Sequence, residues 1–203
     1  MPKQTLNIIL LGDPGAGKAT QGAIFAKKYN MLDYDMGREL TLLRERDKKV
    51  EQAQKATADK GILTPTKIVR QLNNETLLNT PQAKGILFDG HPKMLGEAKI
   101  VKSLFKKTKR PDPLVLYLRI PAAEIVKRVQ KRKGYFNTKF SMRADDSELA
   151  LRNRAKYYRK NIAEVVKFYQ ENYKFQYIDG IGTRTEVRKR MQTAIDKFLK
   201  SQQ

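Results

Sequence analysis

Residues 12–20 read GDPGAGKAT, a glycine-rich stretch carrying one lysine and ending in threonine. Gly12, Gly17 and Lys18 have the spacing of the phosphate-binding pattern G-x-x-x-x-G-K, in which Ser or Thr normally follows the lysine at once. Here Ala19 holds that position and Thr20 comes one residue late. In such a loop the backbone N–H groups of the turn and of the following helix face phosphate oxygens. The lysine adds a point charge on the group being transferred. Gly12, Asp13, Pro14, Gly15, Ala16, Gly17, Lys18, Ala19 and Thr20 therefore form a candidate phosphate cradle. An ordinary strand–turn–helix connection is the competing explanation, and the three glycines together with Lys18 argue against it.

Two further sets of residues carry related chemistry. The apolar stretch before Asp89 in LFDGHPK (87–93) ends in a carboxylate, which beside a phosphate loop can hold magnesium directly or through water. Arg128 and Arg132 are four residues apart and share a helix face, and Arg143 and Arg154, eleven apart, share another. Phosphoryl transfer depends on positioning and on neutralising charge as it develops, and the arginine fork suits that work. From spacing alone a solvated basic face is the stronger reading. Asp145 and Asp146, which could orient the arginines, temper it.

The elements that must position these groups follow from patterning. LNIILLG (6–12), KGILFDG (84–90), PLVLYLRI (113–120) and FQYIDG (175–180) are apolar runs of the kind buried parallel strands show, with a weaker one near Leu32–Tyr34. Helical stretches are predicted over 18–29, 66–79, 95–107, 121–132, 143–172 and 184–201. The longest places Leu151, Ala155, Tyr158, Ile162, Val165 and Tyr169 on one face. This alternation argues for an α/β fold with a parallel sheet covered on both faces, its ligands beyond the carboxyl ends of the strands. Residues 36–64 and 133–142 fit the alternation less well and read as an insertion and a short connection beside that edge.

Composition bounds the rest. At 203 residues the chain suits one domain with small insertions. It shows neither a membrane-spanning apolar run nor a secretory leader, and a reduced cytoplasm is the expected compartment. It has no Cys and a single His, so disulfides, Cys-ligated zinc and a His-rich metal site are excluded. The net charge of +21 permits a partner made of phosphates, either nucleic acid or small nucleotides, or simply a solvated basic surface.

At the level of whole motifs the chain resembles the adenylate kinases and related nucleoside monophosphate kinases. GDPGAGKATQ is similar to the GxPGxGKGTQ loop of that family, in which Thr follows Lys by two positions, so the late Thr20 is a family mark and Ala19 replaces a glycine. FDGHPK resembles LDGFPR, RVQKR the first lid arginine pair, RADDSELALRNR the R-x-D-D…R-x-R segment after the lid, and GILTP (61–65) the G-x-L-V-P acceptor segment. The resemblance runs in order along essentially the whole chain. It implies a five-stranded parallel sheet of P-loop NTPase type with helices on both faces, as a single kinase domain over 1–203. The core would be 1–34, 65–131 and 144–203, the monophosphate-binding insertion 35–64 and the short lid 132–143. It implies the reaction ATP + AMP ⇌ 2 ADP with magnesium, no structural zinc, no membrane and a monomer. Residues 12–20 would hold the ATP phosphates, with Lys18 the catalytic cation. Arg128 would pack along the adenine. Arg132, Arg143 and Arg154 would clamp the phosphates, and Asp89 would order the magnesium waters.

The acceptor site departs from the family pattern. Ile62, Leu63, Thr64, Gly37 and Gly90 match it, and Arg143, Arg154 and Lys93 would also face the acceptor. Thr41, however, stands where an arginine normally binds the acceptor phosphate, and Arg38 or Arg44, one turn away, could substitute. Met36 replaces a hydroxyl near the base. Lys93 replaces an arginine and loses its fork. His91 stands in place of Phe as a filler beside the acceptor. Glu97 takes the place of a base-reading Gln. A carboxylate only accepts hydrogen bonds, which suits guanine better than adenine. The other reading has Glu97 facing solvent, with backbone groups of 62–64 reading the base. Two alternatives therefore stand beside adenylate kinase: a monophosphate kinase of altered acceptor preference, and a catalytically weakened P-loop protein binding nucleic acid. Retention of Lys18, Asp89, Arg132, Arg143 and Arg154 argues against the last.

Overall fold

The apolar run that precedes the glycine-rich stretch forms the centre of a sheet. In the computed structural model, which describes residues 5–52, 66–125, 127–128 and 148–202, β1 (Ile8–Gly12) is buried throughout. It pairs in parallel with β3 (Ile86–Asp89) on one side and β4 (Leu114–Arg119) on the other. β2 (Leu32–Asp35) and β5 (Phe175–Asp179) complete the order β2-β3-β1-β4-β5, parallel at every pairing.

Period-two alternation divides β1 between two cores. Ile8 and Leu10 pack with Phe25 of α1 (Lys18–Lys28) and with Met191, Ile195 and Phe198 of α6 (Arg184–Lys200). Ile9 and Leu11 pack on the other face with Val69 of α3 (Thr66–Asn79), Val101 and Phe105 of α4 (Leu95–Lys107), and Val165 and Tyr169 of α5 (Glu148–Asn172). With both faces covered, every β1 position is apolar or glycine, which is why the sequence shows a run and not an alternation. Full burial of each such side chain stabilises the fold by about 1.5–3 kcal/mol.

The five strands and the α/β alternation match the sequence reading. The weak run at 32–34 is a real edge strand, in which only Tyr34 is fully buried. Of the expected insertion, the described part opens with α2 (Met36–Arg46). Its N-cap Asp35 accepts from the N–H groups of Gly37 at 2.8 Å and Arg38 at 3.3 Å. The expected lid, 132–143, lies outside the described residues, as do parts of the helices expected over 121–132 and 143–172.

For the site, what matters is the carboxyl edge. Strand register puts Leu10 beside Asp89, Asp35 beside Asp89 and Gly12 beside Leu118, so the ends of β2, β3, β1 and β4 line up. At Gly12 the backbone has φ 151°, and a Cβ would lie 2.4 Å from the Leu118 carbonyl oxygen. No residue with a side chain can leave the sheet there.

Candidate active site

The loop leaves β1 at Gly12 and enters α1 at Lys18. Gly15 and Gly17 adopt φ of 77° and 89°, where a side chain is strained. Gly17 is the N-cap of α1, and among the described residues no side chain caps that end; a helix N-terminus of this kind suits an anion. Lys18 Nζ donates to the carbonyls of Gly12 at 2.7 Å and Asp13 at 3.0 Å. The ammonium therefore lies folded over its own loop.

The end of β3 comes against that lysine. Gly90 has φ 63°, and a Cβ there would be 3.3 Å from Lys18 Cε. Asp89 is buried beside it. Burial raises its pKa to about 6 against the pull of Lys18, Asp35 and Asp33 raise it further, and Lys93 lowers it. Among the described residues, Lys18 and Lys93 are thus the cations, and Asp33 and Asp35 the anions, that Asp89 feels.

On the α1 and α6 side of the loop lies a cleft of about 490 Å³, walled by Gly15, Gly17, Thr20, Arg128, Gly180 and Thr183. Arg128 is braced there: its Nε donates to Glu124 at 2.7 Å and its Nη1 to the Gly180 carbonyl at 3.0 Å. The far wall is the β5–α6 turn, where Thr183 and Glu186 form a reciprocal cap and Gln21 Nε2 reaches the Arg184 carbonyl at 2.8 Å. Glu124, Gln21, Gly180 and Thr183 were not singled out from sequence. The DGIG turn at the end of β5 was the available signal, because ligands in such sheets sit beyond the strand ends.

On the acceptor side the structure describes Met36, Arg38, Thr41 and Arg44. Met36 is buried in the α4–α5 core beside Tyr34. Arg38 is not turned to a phosphate: its Nη1 lies 3.4 Å from Asp33, its Nη2 bonds the Asp33 carbonyl and its Nε lies 3.5 Å from Glu39. Two carboxylates within reach, Asp33 and Glu39, with Asp35 adding its charge, account for that orientation. Arg44 is exposed on α2, and Thr41 Oγ1 donates to the Gly37 carbonyl at 2.9 Å.

Glu97 does not face solvent, as one reading of the sequence had it. It is 3% exposed, and its Oε2 accepts from the backbone N–H groups of Lys93 at 3.0 Å and Met94 at 3.3 Å. It closes the N-terminus of α4 from inside, at the third position of the helix. His91 Nδ1 lies 3.5 Å from the same oxygen. Burial, with Lys93 second, lowers the His91 pKa to about 3, so the ring is neutral. Ile62, Leu63, Thr64, Arg132 and Arg143 lie outside the described residues. Arg154 belongs to α5, but its side chain is likewise outside them.

A phosphate loop opening from the central strand of a parallel sheet, with its lysine set against a buried carboxylate on the neighbouring strand, defines a P-loop phosphotransferase. The adenylate kinase family model matches residues 10–174. The chain is 30% identical to an adenylate kinase of Flavobacterium psychrophilum over 194 residues, which is 95% of this chain and all of the relative. It is 30% identical over 192 residues to one of Mycobacterium leprae and 28% over 193 residues to one of Phocaeicola vulgatus, again covering 95% of this chain and all of each relative. This chain belongs to the adenylate kinase family.

Proposed function

We propose that this protein transfers the terminal phosphoryl group of magnesium-ATP to AMP, reversibly, giving two ADP. The observation that carries the reading is the meeting of Lys18, on the phosphate loop, with Asp89, at the end of the adjacent strand. The triphosphate lies along residues 12–20, with the adenine in the cleft walled by Arg128. Lys18 exchanges its two loop carbonyls for phosphate oxygens, so no charge has to be brought in when the nucleotide binds. Lys93 faces the acceptor phosphate from the β3 side. Arg132, Arg143 and Arg154 clamp the transferring group. Residues 35–64 and 132–143 close over the acceptor and donor and exclude water.

The donor set suits magnesium. Asp89 is a hard oxygen ligand buried at the strand end, and its raised pKa comes first from burial and then from Asp35 and Asp33, against the pull of Lys18 and Lys93. Among the described residues no group of three His, Cys, Asp or Glu could hold a metal ion by itself. Magnesium at nucleotide sites needs only one or two carboxylates, with phosphates and waters supplying the rest. Bound there with ATP, it neutralises charge on the β- and γ-phosphates. Among the described residues no helix is long and apolar enough to cross a membrane. We propose separately that the protein acts as a monomer on small nucleotides in the cytoplasm.

Purified protein supplied with magnesium-ATP and AMP, GMP, CMP or UMP in turn tests it. AMP is expected to be the best acceptor, and Lys18→Ala to abolish ADP formation. Preference for another monophosphate would move the reading to a re-specified kinase, and no turnover with any acceptor would remove it.

A further inference from the structure

Asp13 places a carboxylate inside a loop that receives phosphates, yet both carboxylate oxygens are held on the β4 side. It is 7% exposed. Its Oδ1 accepts the Tyr117 hydroxyl at 2.9 Å and its Oδ2 the Ile120 N–H at 3.0 Å. Its own N–H donates to the Leu118 carbonyl at 3.0 Å. Every one of these partners lies on β4 or directly after it. Asp13 does not line the cleft of Gly15 and Thr20. It lines a separate hollow of about 370 Å³ with Tyr117, Arg119 and Tyr177.

We propose that the Tyr117 hydroxyl and the Ile120 N–H form a latch that holds the Asp13 carboxylate out of the phosphate path, making Tyr117 a positioning residue for ATP. The reason is the proximity of Lys18. Its Nζ already touches the Asp13 carbonyl, so an unlatched carboxylate is within reach of the same ammonium and of the loop N–H groups. There it competes with the nucleotide for both and repels it. Burial first, then Tyr158 and Asp13 itself, raise the Tyr117 pKa, so the hydroxyl remains a donor throughout the working range. The inference rests on the loop being the ATP phosphate site.

The test is a double-mutant cycle of Tyr117→Phe and Asp13→Ala, with ATP affinity measured by titration calorimetry alongside KM for each nucleotide and kcat. Tyr117→Phe is expected to weaken ATP binding about tenfold, the scale of a hydrogen bond to a charged group, with KM for AMP unchanged. In the Asp13→Ala background the same substitution is expected to change ATP affinity less than about twofold, because the charge to be restrained is gone. An equal loss in both backgrounds means that the hydroxyl only supports packing, and overturns the latch; so does no loss in either. Should Tyr117→Phe not fold, Asp13→Glu replaces it, since the longer side chain cannot keep both bonds, and unchanged ATP affinity then overturns the latch. Failure of the unsubstituted protein to bind ATP strikes the reading of the loop itself, a separate outcome.

Discussion

The Tyr158 hydroxyl donates to the Gly12 carbonyl at 2.9 Å, across 146 residues of chain. It ties α5 to the turn where the phosphate loop leaves the sheet. Arg154, one of the proposed phosphate clamps, sits one helical turn before Tyr158. The bond thus sets the height of the clamp's helix relative to the loop. Burial raises the Tyr158 pKa, so it is a donor at neutral pH.

Tyr158→Phe removes that bond and leaves the Gly12 carbonyl without it. A loss of about 1 kcal/mol in stability is expected, with a several-fold fall in kcat if the helix shifts by a fraction of an ångström. Denaturant melts and steady-state kinetics check both. Full kcat at the expected stability loss would separate the tether from catalysis.

Asp89 gives a pH signature. Its folded pKa, about 6, is above its ordinary value of 3.8. A raised carboxyl contributes stability that is present below the unfolded pKa and lost as pH rises through about 6. Asp89→Asn removes the buried charge. In the nucleotide-free protein it is expected to gain about 2–3 kcal/mol at pH 7.5 and little at pH 4, while magnesium-dependent turnover falls at least about a hundredfold. Melts at the two pH values, paired with turnover, test the opposition of stability and function at this residue.

How much of this was legible in the sequence depends on the range of the interaction. β1, β3 and β4 were legible because burial on both faces writes a run into the chain. The phosphate loop was legible because its demands are local: glycines at 15 and 17 for left-handed backbone, and a lysine at the helix start. Tyr117 and Tyr158 were not read as site residues. Their partners lie 104 and 146 residues away, and only the sheet order brings them together. Asp13 was read as one more loop position because nothing in GDPGAGKAT says which way its side chain turns. Glu97 was weighed as a reader of the acceptor base. Its place at the third residue of α4, where a carboxylate reaches back to the N–H groups before the helix, was a local signal left unused.

That capping role leads to an expectation about specificity. Glu97→Gln keeps an oxygen acceptor for the Lys93 and Met94 N–H groups. Stability is expected to stay within about 0.5 kcal/mol and the AMP/GMP preference within about twofold. Glu97→Ala removes the cap and is expected to cost about 1–2 kcal/mol. A marked swing in base preference for the Gln variant, measured as the ratio of kcat/KM values, would return Glu97 to the acceptor base.

Among the described residues, His91 is a group whose titration opposes the fold in acid. Its pKa is lowered to about 3 in the folded chain, from an ordinary value of 6.5, by burial and then by Lys93. A depressed pKa contributes stability that is present above about 6.5 and lost as pH falls toward the folded value. Over that window the loss from this group is about 1.4 kcal/mol per pH unit. Glu97, whose own pKa is raised by burial, works in the opposite sense in part of that range, so the clean measurement is a difference between variants. His91→Phe removes the titration and also the buried Nε2, which has no hydrogen-bond partner among the described residues. The ring already packs 6.4 Å from Tyr34 and from Phe88, so an apolar ring belongs in that space. The variant is expected to be more stable than the parent at pH 7 by about 1 kcal/mol or more, and the advantage to widen as pH falls to 4. Parallel melts of the two proteins decide it. An advantage that stays constant with pH would mean that folding leaves the His91 pKa unchanged, and one that narrows toward pH 4 would mean that His91 carries its proton in the fold beside Glu97, 3.5 Å away.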